Sequence, residues 1–259
     1  MSTENKEFYD LLSSITSEQT FPLELSPREE AVIVSCKQLT TVQLKELIRA
    51  VVDSPITQAV FNSTATKIFK NSLVDPSVYS LNIIDRLLFI IETRIQSLSP
   101  TMNVKENDKE ITVDFLQIKE KLNQQLRENV QVLAPSSATD GKLTISFGVT
   151  LIDTESQLND ELYKNVTPNV EDAEELRKVL GEAFINEIAK SIRTLTIEDK
   201  TLDLSTVSFK SRLKVVESLP ASLIQKVIEY IEKYKKLIDE SLTVDGYTLT
   251  IDGTLFSLR

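Results

Sequence analysis

The sequence predicts an α+β fold, in which a helical N-terminal domain is followed by a mixed strand and helix region ending in a three-stranded β-meander. Three observations predict it. Apolar residues recur at spacings of three and four through most of the first 99 residues, as in helices that bury one face. Beyond Ser99-Pro100 the period changes to two, in Ile111-Thr112-Val113-Asp114-Phe115 and again from Leu143 to Leu151. The chain then closes on Asp245-Gly246 and Asp252-Gly253, two turn pairs between short alternating runs, which is the strongest short-range sign of hairpins. The same shifts divide the chain into an N-terminal helical arm (1–19), a helical domain (20–99), a β-containing middle module (100–165), and a helical hairpin region with the terminal meander (166–259).

Taken in order, Phe8, Leu11, Leu12 and Ile15 outline a short amphipathic helix. A helix of that length is marginal in water, so it is expected to dock as an arm on the main body or on a partner. Thr20 to Leu25 reads as extended. Ser26-Pro27-Arg28-Glu29 then has the form of a helix start, with Ser26 as cap, Pro27 where its missing N–H costs nothing, and Glu29 three residues after the cap. The helix expected from it carries Ala31, Val32, Ile33 and Cys36. A second cap at Leu39-Thr40-Thr41 opens a stripe of Val42, Leu44, Leu47, Ile48, Val51 and Val52. Ile56 to Leu73 follows, with Ile56, Val60, Ile68, Phe69 and Leu73 inward. From Leu81 to Leu98 the band Ile83, Ile84, Leu87, Leu88, Ile91, Ile95 and Leu98 is wide enough for central burial, with Asp85, Arg86, Glu92 and Arg94 on its flank.

In the middle, Ile111–Phe115 is a strand, Leu116–Arg127 a helix, Val130–Leu133 a strand, and Pro135–Gly141 a loop ending in a turn. Leu143–Leu151 is the clearest strand. A short helix lies between Asp153-Thr154-Glu155 and Thr167-Pro168. A longer one runs from Val170 through Leu176, Val179, Leu180, Phe184, Ile188 and Ile192. Thr194 to Leu204 reads as a strand pair around Asp199-Lys200, and Ser208–Glu217 as weakly helical. Pro220 opens the last helix, whose stripe runs from Leu223 to Ile238, before the meander at Leu242 to Leu258.

Composition removes most chemistry from consideration. With 259 residues and 41% hydrophobic content the chain can bury a sizeable core. Its formal charge of −10 opposes a nucleic-acid surface or an anionic-membrane anchor, which need clustered Lys and Arg. The basic stretch Lys233, Lys235, Lys236 reads as a solvated helix face. There is no histidine, which rules out imidazole bases, Ser-His-Asp and Cys-His catalysis, and His-ligated zinc. Cys36 is the one cysteine, so no intramolecular disulfide or multi-thiolate metal site can form, and its apolar neighbours mark it as a core residue. The N-terminus has neither the cationic nor the apolar region of a signal peptide, which places the chain in the cytosol where it is made.

Gly141-Lys142-Leu143-Thr144 lacks the upstream glycine of a phosphate loop and enters a strand. Paired acids such as Glu171-Asp172 fall in first helical turns, where carboxylates complement the dipole, and the absence of tryptophan opposes an aromatic-lined glycosidase cleft. Asp199, Asp203, Asp245 and Asp252 do not alternate as calcium ligands do. Tyr163, Tyr230, Tyr234 and Tyr247 read as core packing. No cofactor, metal or catalytic residue is expected, and enzyme action through Asp and Glu stands as a weaker alternative.

The stretch Leu23-Glu24-Leu25-Ser26-Pro27-Arg28-Glu29-Glu30 resembles the apolar-apolar-Pro/Thr-x-Arg-Glu-Glu opening of the small baseplate-hub and hub-assembly proteins of T-even-type contractile-tailed bacteriophages. In that family the opening precedes several helices, a helix with an Asp-Arg pair, and a β-containing module. Asp85-Arg86 matches the pair in order, and Ile111–Phe115 resembles the start of the module. Paired cysteines found in the module of some relatives are missing here, so a metal-stabilised module is not carried over. The resemblance implies a non-enzymatic structural or assembly protein of the tail baseplate hub, working in the host cytoplasm during assembly or resident in the virion tail. Its partners would be other tail and baseplate proteins, with self-association alongside, and neither nucleic acid nor membrane. An assembly chaperone absent from the mature virion and a cellular adaptor unrelated to phage are the alternatives. Arg28, Glu29, Asp85 and Arg86 are expected to form a polar cluster that fixes helix packing, and Phe8, Leu11, Tyr247 and Phe256 to serve packing or contact surfaces.

Overall fold

The structure, a computed structural model, describes residues 19–49, 55–76, 79–106, 109–163 and 173–256. The expected N-terminal arm, with Phe8 and Leu11, lies outside the described residues. In chain order the elements are β1 (Thr20–Glu24), β2 (Ile33–Lys37), α1 (Thr41–Arg49), α2 (Pro55–Ser72), α3 (Ile83–Ser97), β3 (Thr101–Glu106), β4 (Lys109–Asp114), α4 (Phe115–Glu128), α5 (Val130–Leu133), β5 (Ser136–Asp140) and β6 (Leu143–Phe147). They continue as α6 (Ile152–Tyr163), α7 (Ala173–Ser191), β7 (Ile192–Ile197), β8 (Lys200–Asp203), α8 (Phe209–Glu217), α9 (Ala221–Leu242), β9 (Thr243–Val244) and β10 (Tyr247–Thr248). The fold is therefore mixed α+β. Unit 1 comprises Met1–Ser80, Ile84–Gln124 and Leu242–Arg259, and unit 2 comprises Leu81–Ile83 and Gln125–Ser241. The break expected at Ser99 falls inside unit 1.

Unit 1 begins with an antiparallel hairpin, not with the capped helix that Ser26-Pro27-Arg28-Glu29 predicts. β1 pairs with β2 in a register that sets Phe21 opposite Cys36 and Leu23 opposite Val34. Burial alternates along both strands, so the operative period is two. The Leu25 N–H donates to the Val32 carbonyl at 2.9 Å and closes the loop that contains Ser26 to Glu30. Cys36 is fully buried, on a strand. α3 is buried along its length from Ile84 to Arg94. Phe89 stacks on Phe69 of α2 with ring centroids 4.6 Å apart, and on Phe21 of β1 at 6.4 Å. In α1 and α2 Leu47, Ile68 and Phe69, with Leu73 just past the end of α2, are buried as expected, whereas Val42, Ile48 and Val60, expected on the same stripes, are exposed and Phe61 is buried. β3 and β4 form a second hairpin, with Val113 and then Phe115 of α4 buried.

The terminal meander is reduced to two strands. β9 and β10 pair around Asp245-Gly246, whose φ angles of 51° and 84° are the left-handed pair that a two-residue hairpin turn requires. Lys121 of α4 donates to the Thr243 carbonyl at 3.1 Å. At the second Asp-Gly the Asp252 carboxylate accepts from the Thr254 N–H at 2.7 Å, an Asx turn that starts the 3-10 segment Gly253–Phe256. That competing local bond forecloses a third strand. The 3-10 segment packs on α1.

Unit 2 holds an antiparallel sheet in the order β5-β6-β7-β8. Ile145, Phe147 and Leu195 are buried. The alternate residues carry hydroxyls that pair across neighbouring strands, Thr139 with Thr144, Ser146 with Thr194, and Thr196 with Thr201. β7 and β8 are the pair expected around Asp199-Lys200. The strand expected over Leu143–Leu151 ends at Phe147, and three further expectations change here. Val130–Leu133 is a helical turn, since Asn129 donates through its side chain to the Gln125 carbonyl and the Val132 N–H donates to Asn129. Pro135–Gly141 contains strand β5, turning at Gly141 with φ 59°. Phe184, expected inward on α7, is 54% exposed.

Candidate functional site

α3 of unit 1 carries four buried charged side chains, and each reaches a different neighbour. Asp85, fully buried, accepts from the Ser26 N–H at 2.8 Å, the Ser26 hydroxyl at 2.7 Å and the Arg28 guanidinium at 2.7 Å. Ser26 is thus drawn away from helix capping to a carboxylate 59 residues along the chain. Arg86 donates to the Thr66 hydroxyl of α2 at 2.9 Å. Glu92 accepts from Gln96 at 2.8 Å and pairs with Lys119 of α4 at 2.5 Å. Arg94 donates to the carbonyls of Ser99 and Thr101 and lies over the Phe115 ring, 5.0 Å from its centroid. The four groups expected on the flank of this helix are all buried. Burying charges is tolerable only where each finds partners, and here most are found on separate elements.

Of the residues singled out in the sequence, Arg28 and Asp85 meet directly. Arg86 follows Asp85 but bonds to α2, and Glu29 is exposed in the hairpin loop. Tyr247 is half-buried on β10 and Phe256 is buried in the terminal 3-10 segment. These residues form no single pocket.

Unit 2 has its own buried cation, which sequence reading missed. Arg212 of α8 donates to the Ala189 carbonyl at 2.7 Å, to that of Ile192 at 2.7 Å and to that of Leu204 at 3.2 Å. It satisfies carbonyls at the C-terminus of α7, which the helix cannot pair internally. Burial draws its pKa down to about 10. The available signal was its position, since Phe209, Arg212, Leu213 and Val216 fall at core-facing spacings and the arginine interrupts an apolar stripe.

A groove of about 430 Å³ opens in the same unit. One wall is the segment Gln131–Ser137, the other a face of α9 bearing Lys226, Glu229 and Lys233, with Phe147 and Tyr230 between them. The Tyr230 ring meets Phe147 edge-on at 5.4 Å, and its hydroxyl donates to the Leu133 carbonyl at 3.1 Å. Tyr234 stacks edge-on against Tyr230 at 5.6 Å. Its phenol hydrogen-bonds the hydroxyls of Thr150 and Ser191.

Burial pushes the Tyr230 and Tyr234 phenols up to about 12, and burial together with the Glu92 charge pushes the Cys36 thiol up to about 12. These acids hold their protons in the folded chain after the unfolded chain has lost them. Stability therefore falls as pH rises from about 9 for Cys36 and about 10 for the tyrosines toward 12. Arg212 and Arg94, whose pKa values burial lowers, act in the opposite sense, while Tyr163, raised by burial, acts with the three acids. Urea midpoints measured across this range should decline, and Tyr234→Phe should flatten the decline above pH 10. A midpoint constant from pH 9 to 12 would contradict the assignment.

Among the described residues no three Cys, Asp or Glu side chains converge as a metal site requires, and no helix is long and apolar enough to cross a membrane. Compared with known proteins, the chain matches no family model, no curated protein and no solved structure.

Proposed function

We propose that the chain is a structural or assembly protein of a contractile phage tail baseplate hub, acting through protein contacts. The observation that carries the reading is the Arg28–Asp85 ion pair at 2.7 Å. It joins the two stretches on which the resemblance rests, Leu23–Glu30 and Asp85-Arg86, although they stand 57 residues apart. The third stretch, Ile111–Phe115, lies in the same unit and places Phe115 under Arg94 of the same helix. A signature whose parts converge in one core behaves as a unit of structure, in keeping with a scaffold role.

The test is affinity purification of the tagged chain from infected host cells, with mass spectrometry of what accompanies it. Tail-tube and hub proteins are expected. Recovery of host proteins alone would point to a cellular adaptor and overturn the reading. Mass spectrometry of purified virions then separates a resident component, present in stoichiometric amount, from a factor that leaves before maturation.

A further inference from the structure

The groove of unit 2 sets a strand edge beside a cationic rim. β5 ends the order β5-β6-β7-β8, so among the described residues its backbone is strand-paired on one side only, to β6. Approaching it, Ala134 is already extended, with φ −61° and ψ 141°, and residues Ala134 to Ser137 are exposed. Such an edge is a template for another extended chain.

On the opposite wall Lys226, Glu229 and Lys233 lie at spacings of three and four, on one face of α9. The Glu229 charge is already held by Lys226 at 3.1 Å and by Gln225 at 3.4 Å. Lys233 also acts on the Glu229 charge but makes no contact ion pair among the described residues, so two cations face one carboxylate. The rim is therefore cationic within a chain of net charge −10, a local exception that favours an anionic occupant. A volume of about 430 Å³ lies in the range of binding clefts and accommodates a few residues of a polypeptide. Phe147 and the anchored Tyr230 give it a rigid apolar floor.

We infer that this groove binds an acidic, extended segment of a partner protein, which lies along the β5 edge and sets its carboxylates against Lys233 and against Lys226, the latter shared with Glu229. Alternate side chains of such a segment point to opposite sides, so acidic residues at every second position would face the lysines while the intervening ones meet the apolar floor. The inference goes beyond the baseplate reading and does not depend on it, because the site is defined by its own chemistry whichever assembly supplies the segment.

The test uses the full chain and two fluorescein-labelled octapeptides, one alternating Glu and Val and the other alternating Lys and Val, with anisotropy as the readout. The Glu-Val peptide is expected to bind and to weaken by about tenfold in the Lys226→Glu/Lys233→Glu double variant, with further loss at high salt. Lys226→Arg/Lys233→Arg, which keeps both charges, should retain binding. Hydrogen exchange should slow in residues 134–140 on binding and stay unchanged at β8, the other edge of the sheet. Both lysines are exposed, and circular dichroism of the variants verifies that the fold is intact. No binding of the Glu-Val peptide, equal binding of the Lys-Val peptide, indifference to the double charge reversal, or protection at β8 in place of residues 134–140 would each overturn the inference. Its failure leaves the tail-protein purification unaffected, so the two readings fail separately.

Discussion

Asp85→Ala is expected to destabilise the chain by about 3–5 kcal/mol, the cost of removing one partner of a buried ion pair. The carboxylate is fully buried and is the shared acceptor for three donors, so its loss leaves the Ser26 N–H, the Ser26 hydroxyl and the Arg28 guanidinium without it at once. Arg28→Met should cost less, about 1–2 kcal/mol, because the Arg28 side chain is a quarter exposed and Asp85 keeps its two bonds from Ser26. Arg28→Glu should exceed Arg28→Met, since it sets two carboxylates together. Urea unfolding of these variants and of the double mutant measures the coupling. An Asp85→Ala protein within about 1 kcal/mol of the wild type would refute the role given to this contact.

Arg212→Met should be comparably severe in unit 2, again about 3–5 kcal/mol, because the guanidinium is buried and its removal orphans carbonyls of three residues. Arg212→Lys should recover only part of the loss. An ammonium is a single point and cannot reach Ala189, Ile192 and Leu204 in the planar geometry that the guanidinium uses. Thermal unfolding gives the magnitude, and hydrogen exchange localises it. Faster exchange is expected first at the C-terminus of α7 and the start of β7. Uniform loss of protection across unit 2 would mean that Arg212 holds the whole unit and not this corner.

Much of the secondary structure was legible because it follows local periodicity. α2, α3, α4, α8 and α9 lie within a few residues of their apolar stripes, and the turn at Asp245-Gly246 and the pair around Asp199-Lys200 follow from turn chemistry. The failures share one cause, competition from a distant or stronger partner. Ser26 has every local feature of a helix cap, yet Asp85 takes its hydroxyl, and nothing within the segment reveals that. Ala31 to Val34 is apolar throughout and satisfies either period, so the local cap decided the expectation wrongly. At Asp252-Gly253 the Thr254 N–H and hydroxyl capture the carboxylate and replace a hairpin with a 3-10 turn.

The candidate sites were less legible than the fold. The Arg28–Asp85 contact could be guessed only as a pairing of two motif stretches. Arg212 was hidden because an arginine in an apolar stripe on a short helix looks like a pattern defect, whereas it satisfies carbonyls of other elements. The groove is assembled from segments roughly 90 residues apart, none of which is distinctive alone.

The division of the chain has a consequence for its biosynthesis. Unit 2 is drawn almost wholly from the continuous run Gln125–Ser241, whereas unit 1 needs the first 80 residues, a middle piece and Leu242–Arg259. On a ribosome the inserted unit can reach its final contacts while the enclosing one still lacks its last piece. Buried Leu249, Leu255 and Phe256, and the Thr243 carbonyl that receives Lys121, are made only after the whole of unit 2. A chain interrupted after Ser241 would therefore hold every residue of unit 2 while unit 1 still lacked its third segment.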